Sequence, residues 1–145
     1  MLFRSTVNIF AHNQDLELLP DYLASLVEND VDGVIVSDVG VLDLIRTRFP
    51  QLPVHLSTQA NTTNWAAARF WSQLGVSRII LARELSLSEI KEIGSKVEAE
   101  LEIFVHGAMC MAYSCRCLLS NYLTGRDANR GDCAQSCRWK YTLME

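Results

Sequence analysis

Apolar positions along the first hundred residues follow two alternating rhythms. Thr6-Val7-Asn8-Ile9-Phe10-Ala11 is β-branched and aromatic, and polar His12-Asn13-Gln14 interrupts it. From Asp15 to Asn29, Leu16, Leu19, Leu23, Leu26 and Val27 fall at the spacing of one helix face. Asp15 suits the N-cap, and Pro20 inside the stretch predicts a start near itself, with proline in the first turn. Gly33–Ser37 reads as a second strand and Val39–Arg48 as a helix closed by Pro50 and Pro53. Val54–Thr58 is the third strand, and Asn64 caps a helix running through Trp65, Ala68 and Trp71, with Gly75 as its C-terminal stop. Trp65, Phe70 and Trp71 read as core at helical spacing. Arg78–Ala82 is the fourth strand, Ser86 and Glu89 form an S-x-x-E capping box for a helix toward Val97, and Glu102–His106 is the fifth strand.

Five strands alternate with four helices, which indicates a parallel sheet made by right-handed crossovers. A (β/α) barrel and an open doubly wound sheet both fit this pattern locally. A closed barrel needs eight units and typically about 250 residues, and the chain opens almost at once into a strand. The expectation is an α/β protein, a partial TIM-type barrel over residues 1–105, followed by a Cys-rich segment over 106–145. The missing units would come from flanking sequence or a partner chain. In either architecture ligands bind at the carboxyl ends of the strands. Those ends carry His12-Asn13, Ser37-Asp38, Thr58-Gln59-Ala60-Asn61, Arg83-Glu84 and His106-Gly107. Each alone is accounted for by loop solvation or helix capping; five on one rim make a candidate site. No G-x-G-x-x-G or phosphate-binding loop follows any strand.

Composition narrows the class. At 145 residues, 49% hydrophobic and 21% charged, with net charge -4, the chain matches neither collagenous nor disordered sequences. No apolar run approaches the roughly 18 residues of a membrane span, and Met1–Phe10 lacks the pattern of a secretory signal. The expected setting is cytoplasmic, with no membrane partner. Residues 1–105 carry a net charge of -6 and residues 106–145 a net of +2.

All five cysteines lie in the second segment, as Cys110-x4-Cys115-x-Cys117 and Cys133-x3-Cys137. An odd number without a secretory signal argues against a disulfide framework. Thiolates are soft ligands that suit zinc or iron–sulfur clusters, and these spacings match neither a zinc ribbon nor the ferredoxin run. Inert buried thiols are the plain alternative. The fifth strand aims the chain at Cys110 through His106-Gly107-Ala108-Met109. A cysteine nucleophile with His106 as base is conceivable, although it leaves four cysteines without a role. His55, within a strand, reads more simply as a satisfied core residue. Arg116, Arg126, Arg130, Arg138 and Lys140 alternate with Tyr113, Tyr122, Trp139 and Tyr141, a pattern able to hold phosphates and stack bases, although at a net charge of +2 solvated surface accounts for it more simply.

The run Phe104-Val105-His106-Gly107-Ala108-Met109-Cys110-Met111-Ala112-Tyr113-Ser114, then Arg116-Cys117-Leu118-Leu119-Ser120, closely resembles the signature of the collagenase-like peptidase family. So do Arg126-Asp127-Ala128-Asn129-Arg130-Gly131 and Cys133-x3-Cys137-Arg138-Trp139. Upstream, Val7-Asn8-Ile9 with Asn13, Val36-Ser37-Asp38, Leu56–Asn61 and Leu81–Ser86 look like the same family's strand-end segments. The resemblance implies further βα units before Thr6 and a continuation past Glu145. It is greatest to the branch that makes 5-hydroxyuridine in tRNA without oxygen, with prephenate as cosubstrate and a 4Fe-4S cluster on cysteines. By position it implies Cys110, Cys117 and Cys133 as cluster ligands, with Cys137 or a cysteine farther along as the fourth. Cys115 departs from the pattern, standing where the family usually has glycine; if that glycine takes a positive φ, Cys115 adds strain.

The leading expectation is therefore a tRNA-hydroxylation protein. Asn13, Ser37, Asp38, Gln59, Asn61 and Arg116 are candidates to hold the small molecule, and His106, Glu84 and Arg83 are candidates for catalysis. Cys110, Cys117, Cys133 and Cys137 are the candidate metal ligands. Arg116, Arg126 and Arg138 are candidates for RNA phosphate or an anionic cosubstrate. The alternatives are a peptidase acting on a peptide through Cys110 with His106 or through a metal, and a zinc-stabilised module without catalysis.

Overall fold

The computed structural model of the chain describes residues 2–107 and 109–144; Ala108 of the signature and the terminal residues Met1 and Glu145 lie outside them. Five strands, β1 (Arg4–Val7), β2 (Gly33–Val36), β3 (Val54–Leu56), β4 (Arg78–Ile80) and β5 (Glu100–Glu102), form one sheet in the order β1-β2-β3-β4-β5. Every neighbouring pair is parallel. Four helices make the crossovers: α1 (Asn13–Glu28), α2 (Val39–Arg48), α3 (Trp65–Gln73) and α4 (Leu87–Gly94). The fold class is α/β. The strand order never reverses, so the topological switch point that defines a doubly wound sheet is absent, and right-handed crossovers place all four helices on one face.

That face is the core. Leu19 and Leu23 of α1, Val41, Leu42 and Ile45 of α2, Ala68 of α3 and Ile93 of α4 pack with Val7, Val34, Val36, Val54, Leu56 and Ile79 of the sheet. A fully buried Leu or Val contributes roughly 1.5–3 kcal/mol through the hydrophobic effect. Because side chains alternate along a strand, the registered row Thr6, Ile35, His55, Arg78 and Glu100 faces the other way. On that face the Arg4 guanidinium of edge strand β1 pairs with Glu102 of edge strand β5 at 2.7 Å. In a flat sheet the edges of five strands would lie about 19 Å apart, at roughly 4.8 Å per spacing. The sheet is therefore curled, concave toward Arg4 and Glu102. His55 is buried in the same hollow, its Nδ1 at 3.3 Å from Arg4 Nη1. Burial, with the cations of Arg78 and Arg4, pulls its pKa below the ordinary imidazole value. His55 is thus a satisfied interior residue.

Local capping follows the expected chemistry in α2, α3 and α4. Asp38 accepts from the N–H groups of Gly40 and Val41 at 2.8 and 3.1 Å. Asn64 accepts from Ala67 at 2.9 Å, and the Ser86 N–H donates to Glu89 at 2.8 Å to close the capping box. Gly75 takes φ 85 beyond α3, a left-handed conformation open to glycine without strain.

The structure shortens β2, β3 and β4 at their carboxyl ends, to Val36, Leu56 and Ile80, and ends α4 at Gly94 rather than near Val97. It departs further at α1, β1, β5 and Phe70. The helix α1 starts at Asn13, not near Pro20, and Asp15 is its third residue, accepting from the His12 N–H at 2.7 Å. Proline removes one bond inside the helix, while Leu19 and Leu23, buried on either side of it, hold the helix against the sheet. Strand β1 spans Arg4–Val7, earlier than Thr6–Ala11, because pairing with β2 ends at Val7 and Val36. Strand β5 spans Glu100–Glu102, not Glu102–His106; its partner β4 ends at Ile80, and the apolar run Ile103–Val105 leaves the sheet exposed. Trp65 and Trp71 pack against the core, whereas Phe70 is exposed. No helix among the described residues is long and apolar enough to cross a membrane.

Candidate functional site

The cysteine-bearing segment folds back over the carboxyl ends of the strands. After β5 it forms a short turn at Tyr113–Cys115, a helix α5 (Leu119–Thr124) and two more single turns, Ala128–Arg130 and Ser136–Arg138. Three ties fasten it to the body. Glu84, beyond β4, accepts from the Ser114 N–H at 2.7 Å and from the Ser114 hydroxyl at 2.6 Å. Partial burial alone would push the Glu84 carboxyl up, but these two bonds outweigh it and its pKa lies below the ordinary value. Arg116 donates from Nε to the Gln59 carbonyl at 3.0 Å, and its guanidinium lies 5.4 Å from the Phe10 ring centroid. Arg130 grips Asp15 through both nitrogens at 2.7 and 2.8 Å and donates to the Phe10 carbonyl at 3.1 Å. The bond from Arg130, reinforced by the His12 N–H, holds the Asp15 carboxyl far below its ordinary pKa.

Asn129 completes the fastening, and sequence reasoning assigned it no role. Its Oδ1 accepts from the Cys117 N–H at 3.2 Å, its Nδ2 donates to the Cys117 carbonyl at 2.9 Å, and its own carbonyl accepts from the Phe10 N–H at 3.3 Å. One buried amide thus sets the Cys117 backbone against the loop after β1. The motif Arg126–Gly131 was visible in the sequence; its partners, more than a hundred residues upstream, were not.

The five thiols are all free. Ser114 and Cys115 take φ 41 and φ 72, consecutive left-handed residues. For a non-glycine residue each costs roughly 1–2 kcal/mol, so Cys115 stands at a backbone position that favours glycine. Its thiol neighbours that of Cys110 and receives the Arg83 Nη1 at 3.5 Å. Burial pushes the Cys115 thiol up, with Cys110 acting in the same direction and Arg83 against it.

The two cysteine runs are neighbours. Arg138, one residue past Cys137, donates to the carbonyl of Met109, one residue before Cys110, at 3.1 Å. The Ala134 N–H donates to the Ser120 hydroxyl at 2.9 Å, and the Gln135 N–H points at the Cys133 sulfur at 3.3 Å. Yet no three His, Cys, Asp or Glu side chains among the described residues are grouped closely enough to hold a metal ion. As arranged here, Cys110, Cys117, Cys133 and Cys137 do not form a ready ligand set for a cluster.

The other candidates fall into two groups. Asp38 is committed to capping α2, Ser37 is buried and donates to the Asn8 carbonyl at 2.8 Å, and Asn13 is an exposed residue in the first turn of α1. Arg126 is paired with Asp132 at 2.8 Å, which leaves it a weaker anchor for phosphate than its sequence neighbourhood suggested. By contrast, Gln59 Oε1, Asn61 Oδ1, Thr62 Oγ1 and Arg83 Nε are buried with no hydrogen-bond partner among the described residues. Buried polar atoms are nearly always satisfied, so this rim after β3 and β4 carries polar capacity that the chain itself does not use. His106 is exposed and, with Arg83, Phe104, Val105, Gly107 and Met109, lines a cavity of about 300 Å³ that opens immediately before Cys110.

The fold and site together define a singly wound parallel α/β protein with a thiol-rich segment docked on the strand ends. The chain belongs to peptidase family U32, whose model matches residues 4–145. It is 51% identical over 140 residues to tRNA hydroxylation protein P1 of Bacillus subtilis, covering 97% of this chain and 33% of that protein. It is 52% identical over 144 residues to tRNA hydroxylation protein P of Escherichia coli, covering 99% of this chain and 32% of that one. To the 23S rRNA 5-hydroxycytidine C2501 synthase of Escherichia coli it is 42% identical over 140 residues, covering 97% of this chain and 21% of the synthase. The chain thus spans about a third of the length of the first of these relatives. The solved structure of the U32 peptidase Mk0906 superposes with a TM-score of 0.61 at 22% identity, over 71% of this chain and 45% of that one, which shows a shared fold.

Proposed function

We propose that this chain is the rim-bearing part of an RNA-hydroxylating protein, most similar in role to the tRNA hydroxylation proteins. The observation that carries the reading is the docking of the thiol-bearing segment onto the polar strand ends. Glu84 fixes Ser114, Arg130 grips Asp15, and Asn129 fixes Cys117. Relatives at 42–52% identity named for hydroxylation of tRNA and rRNA give that arrangement its chemistry. The curled sheet with helices on its convex face supports a sector of a (β/α) barrel, with Arg4 and Glu102 reaching toward each other across the hollow.

In this reading Cys110, Cys117, Cys133 and Cys137 would hold a 4Fe-4S cluster once the two cysteine runs, not grouped as a metal site here, draw together. Such a cluster would supply electron transfer. This chain's own residues position the thiols and the rim. Arg116 supplies a cation beside Gln59 for an anionic cosubstrate such as prephenate, and the unpartnered side-chain oxygens of Gln59 and Asn61 are acceptors for its hydroxyl. The peptidase reading asks for a nucleophile and base in contact. Among the described residues His106 makes no hydrogen bond to Cys110, so that reading has no such support.

The test is nucleoside mass spectrometry of tRNA incubated anaerobically with prephenate and the full-length protein carrying this sequence, with iron and sulfide measured on the same sample. Gain of one oxygen on a pyrimidine nucleoside is the expected result. Turnover of gelatin or peptides without any change in the RNA would overturn it.

A further inference from the structure

The cavity beside Cys110 has features that neither the fastening of the segment nor the thiols explain. The Phe104 ring stands outside the sheet and is 51% exposed. The Arg83 guanidinium lies 4.3 Å from its centroid, a cation–π contact that backs the ring on one side and stiffens it. Arg83 is itself held by the Cys115 sulfur at 3.5 Å, and its buried Nε–H lacks an acceptor. His106, Gly107 and Met109 complete the wall of a cavity of about 300 Å³, at the small end of the usual range for ligand sites.

We propose that this cavity seats the target pyrimidine of the RNA, swung out of its stack onto the open side of Phe104. The inference rests on the RNA-hydroxylation reading and names the place of the base within it. Enzymes that modify a base take it out of the helix or loop and hold it by stacking and by hydrogen bonds to its edge. Unstacked RNA bases are held on aromatic rings and guanidinium planes. A single-ring base matches a cavity of this size, and exposed His106 offers a polar group to its edge. The cavity wall ends at Met109, so the bound ring lies beside the first thiol of the cluster motif. Phe104 is the binding residue, and Arg83 is a positioning residue that backs the ring from the face away from the base.

The experiment is photocrosslinking of a tRNA transcript containing 5-iodouridine to the full-length protein, with the attached peptide mapped by mass spectrometry and RNA retention measured by filter binding. The crosslink is expected on the peptide containing Phe104. Stacking on one aromatic ring is worth about 1–3 kcal/mol per base, so Phe104→Ala should lower that crosslink by about tenfold or more. Phe104→Trp should keep the crosslink and show quenched fluorescence on binding. Because the ring is exposed, the alanine variant should fold, and its circular dichroism checks this. RNA retained and crosslinked elsewhere, with Phe104→Ala indistinguishable from wild type, overturns the cavity and leaves the RNA reading standing. Failure of the wild-type protein to retain any RNA overturns both.

Discussion

Arg4 and Glu102 belong to the two edge strands of a five-stranded sheet, yet their side chains pair at 2.7 Å. The contact requires the sheet to curl, and it is made in a hollow where both side chains are less than a third exposed. Arg4 also reaches His55, and Arg78 lies 3.6 Å from Glu102, so removing either member leaves charges in the hollow without their partner.

Glu102→Gln and Arg4→Met should each destabilise the fold, and a double-mutant cycle should give a coupling of about 1 kcal/mol, the scale of a well-formed, partly exposed ion pair. Urea unfolding of the two single variants and the double measures it. A flatter sheet in solution would separate the pair and give no coupling. The carboxyl of Glu102 is held below its ordinary pKa by its bond to Arg4. Its contribution is therefore complete above the unfolded carboxylate pKa and is lost as pH falls through the lowered folded value.

Docking of the cysteine segment should respond to acid in the same direction. Glu84 carries a lowered pKa because its bonds from Ser114 outweigh burial, and Asp15 is lowered by Arg130. Both ties are fully present above the ordinary carboxylate range and weaken as pH drops below it. The Ser114 amide resonance should shift with the titration of Glu84, at a pH below that of a free glutamate. In Glu84→Gln that titration should vanish.

Asn129→Ala removes a donor and an acceptor that serve the Cys117 backbone, in a buried setting. Unsatisfied buried groups cost about 1–3 kcal/mol each, so the variant should lose roughly 2–3 kcal/mol in urea unfolding. It should also retain less iron after anaerobic reconstitution. Asn129→Asp keeps the acceptor but sets a buried carboxylate oxygen against the Cys117 carbonyl, so it should not restore the stability lost in the alanine variant.

Cys115 offers a test of backbone strain. At φ 72, Cys115→Gly should be more stable than Cys115→Ala by about 1 kcal/mol, because only glycine takes this conformation freely. In an ordinary helical or extended position the order would be reversed. Thermal unfolding of the two variants decides between them.

These contacts show why part of the molecule was legible in its sequence and part was not. Capping by Asp38, Asn64 and Ser86 with Glu89 depends on residues within three positions, so the helices α2, α3 and α4 could be located from local pattern. The parallel class followed from the repeat of strand and helix. The end of β5 did not follow, because it is set by where Ile80 stops pairing with Glu102, a relation between strands that Ile103–Val105 does not encode. Pro20 misled for a related reason: the burial of Leu19 and Leu23 overrides a local breaker. At the site, the polar strand ends were visible as residue types, but which were spent on the fold was not. Asp38 and Ser37 serve capping and packing, whereas Gln59, Asn61 and Arg83 keep unused polar atoms. The tie between Glu84 and Ser114 spans thirty positions and has no sequence signal of its own.

The central claim is that the docked thiol segment serves RNA hydroxylation through four of its five cysteines. The most direct measurement is the hydroxylated pyrimidine content of tRNA treated with the full-length protein and its five single Cys→Ala variants. The account predicts loss for Cys110, Cys117, Cys133 and Cys137 and persistence for Cys115. Hydroxylation that survives all five substitutions, or that fails only when Cys115 is changed, would contradict it.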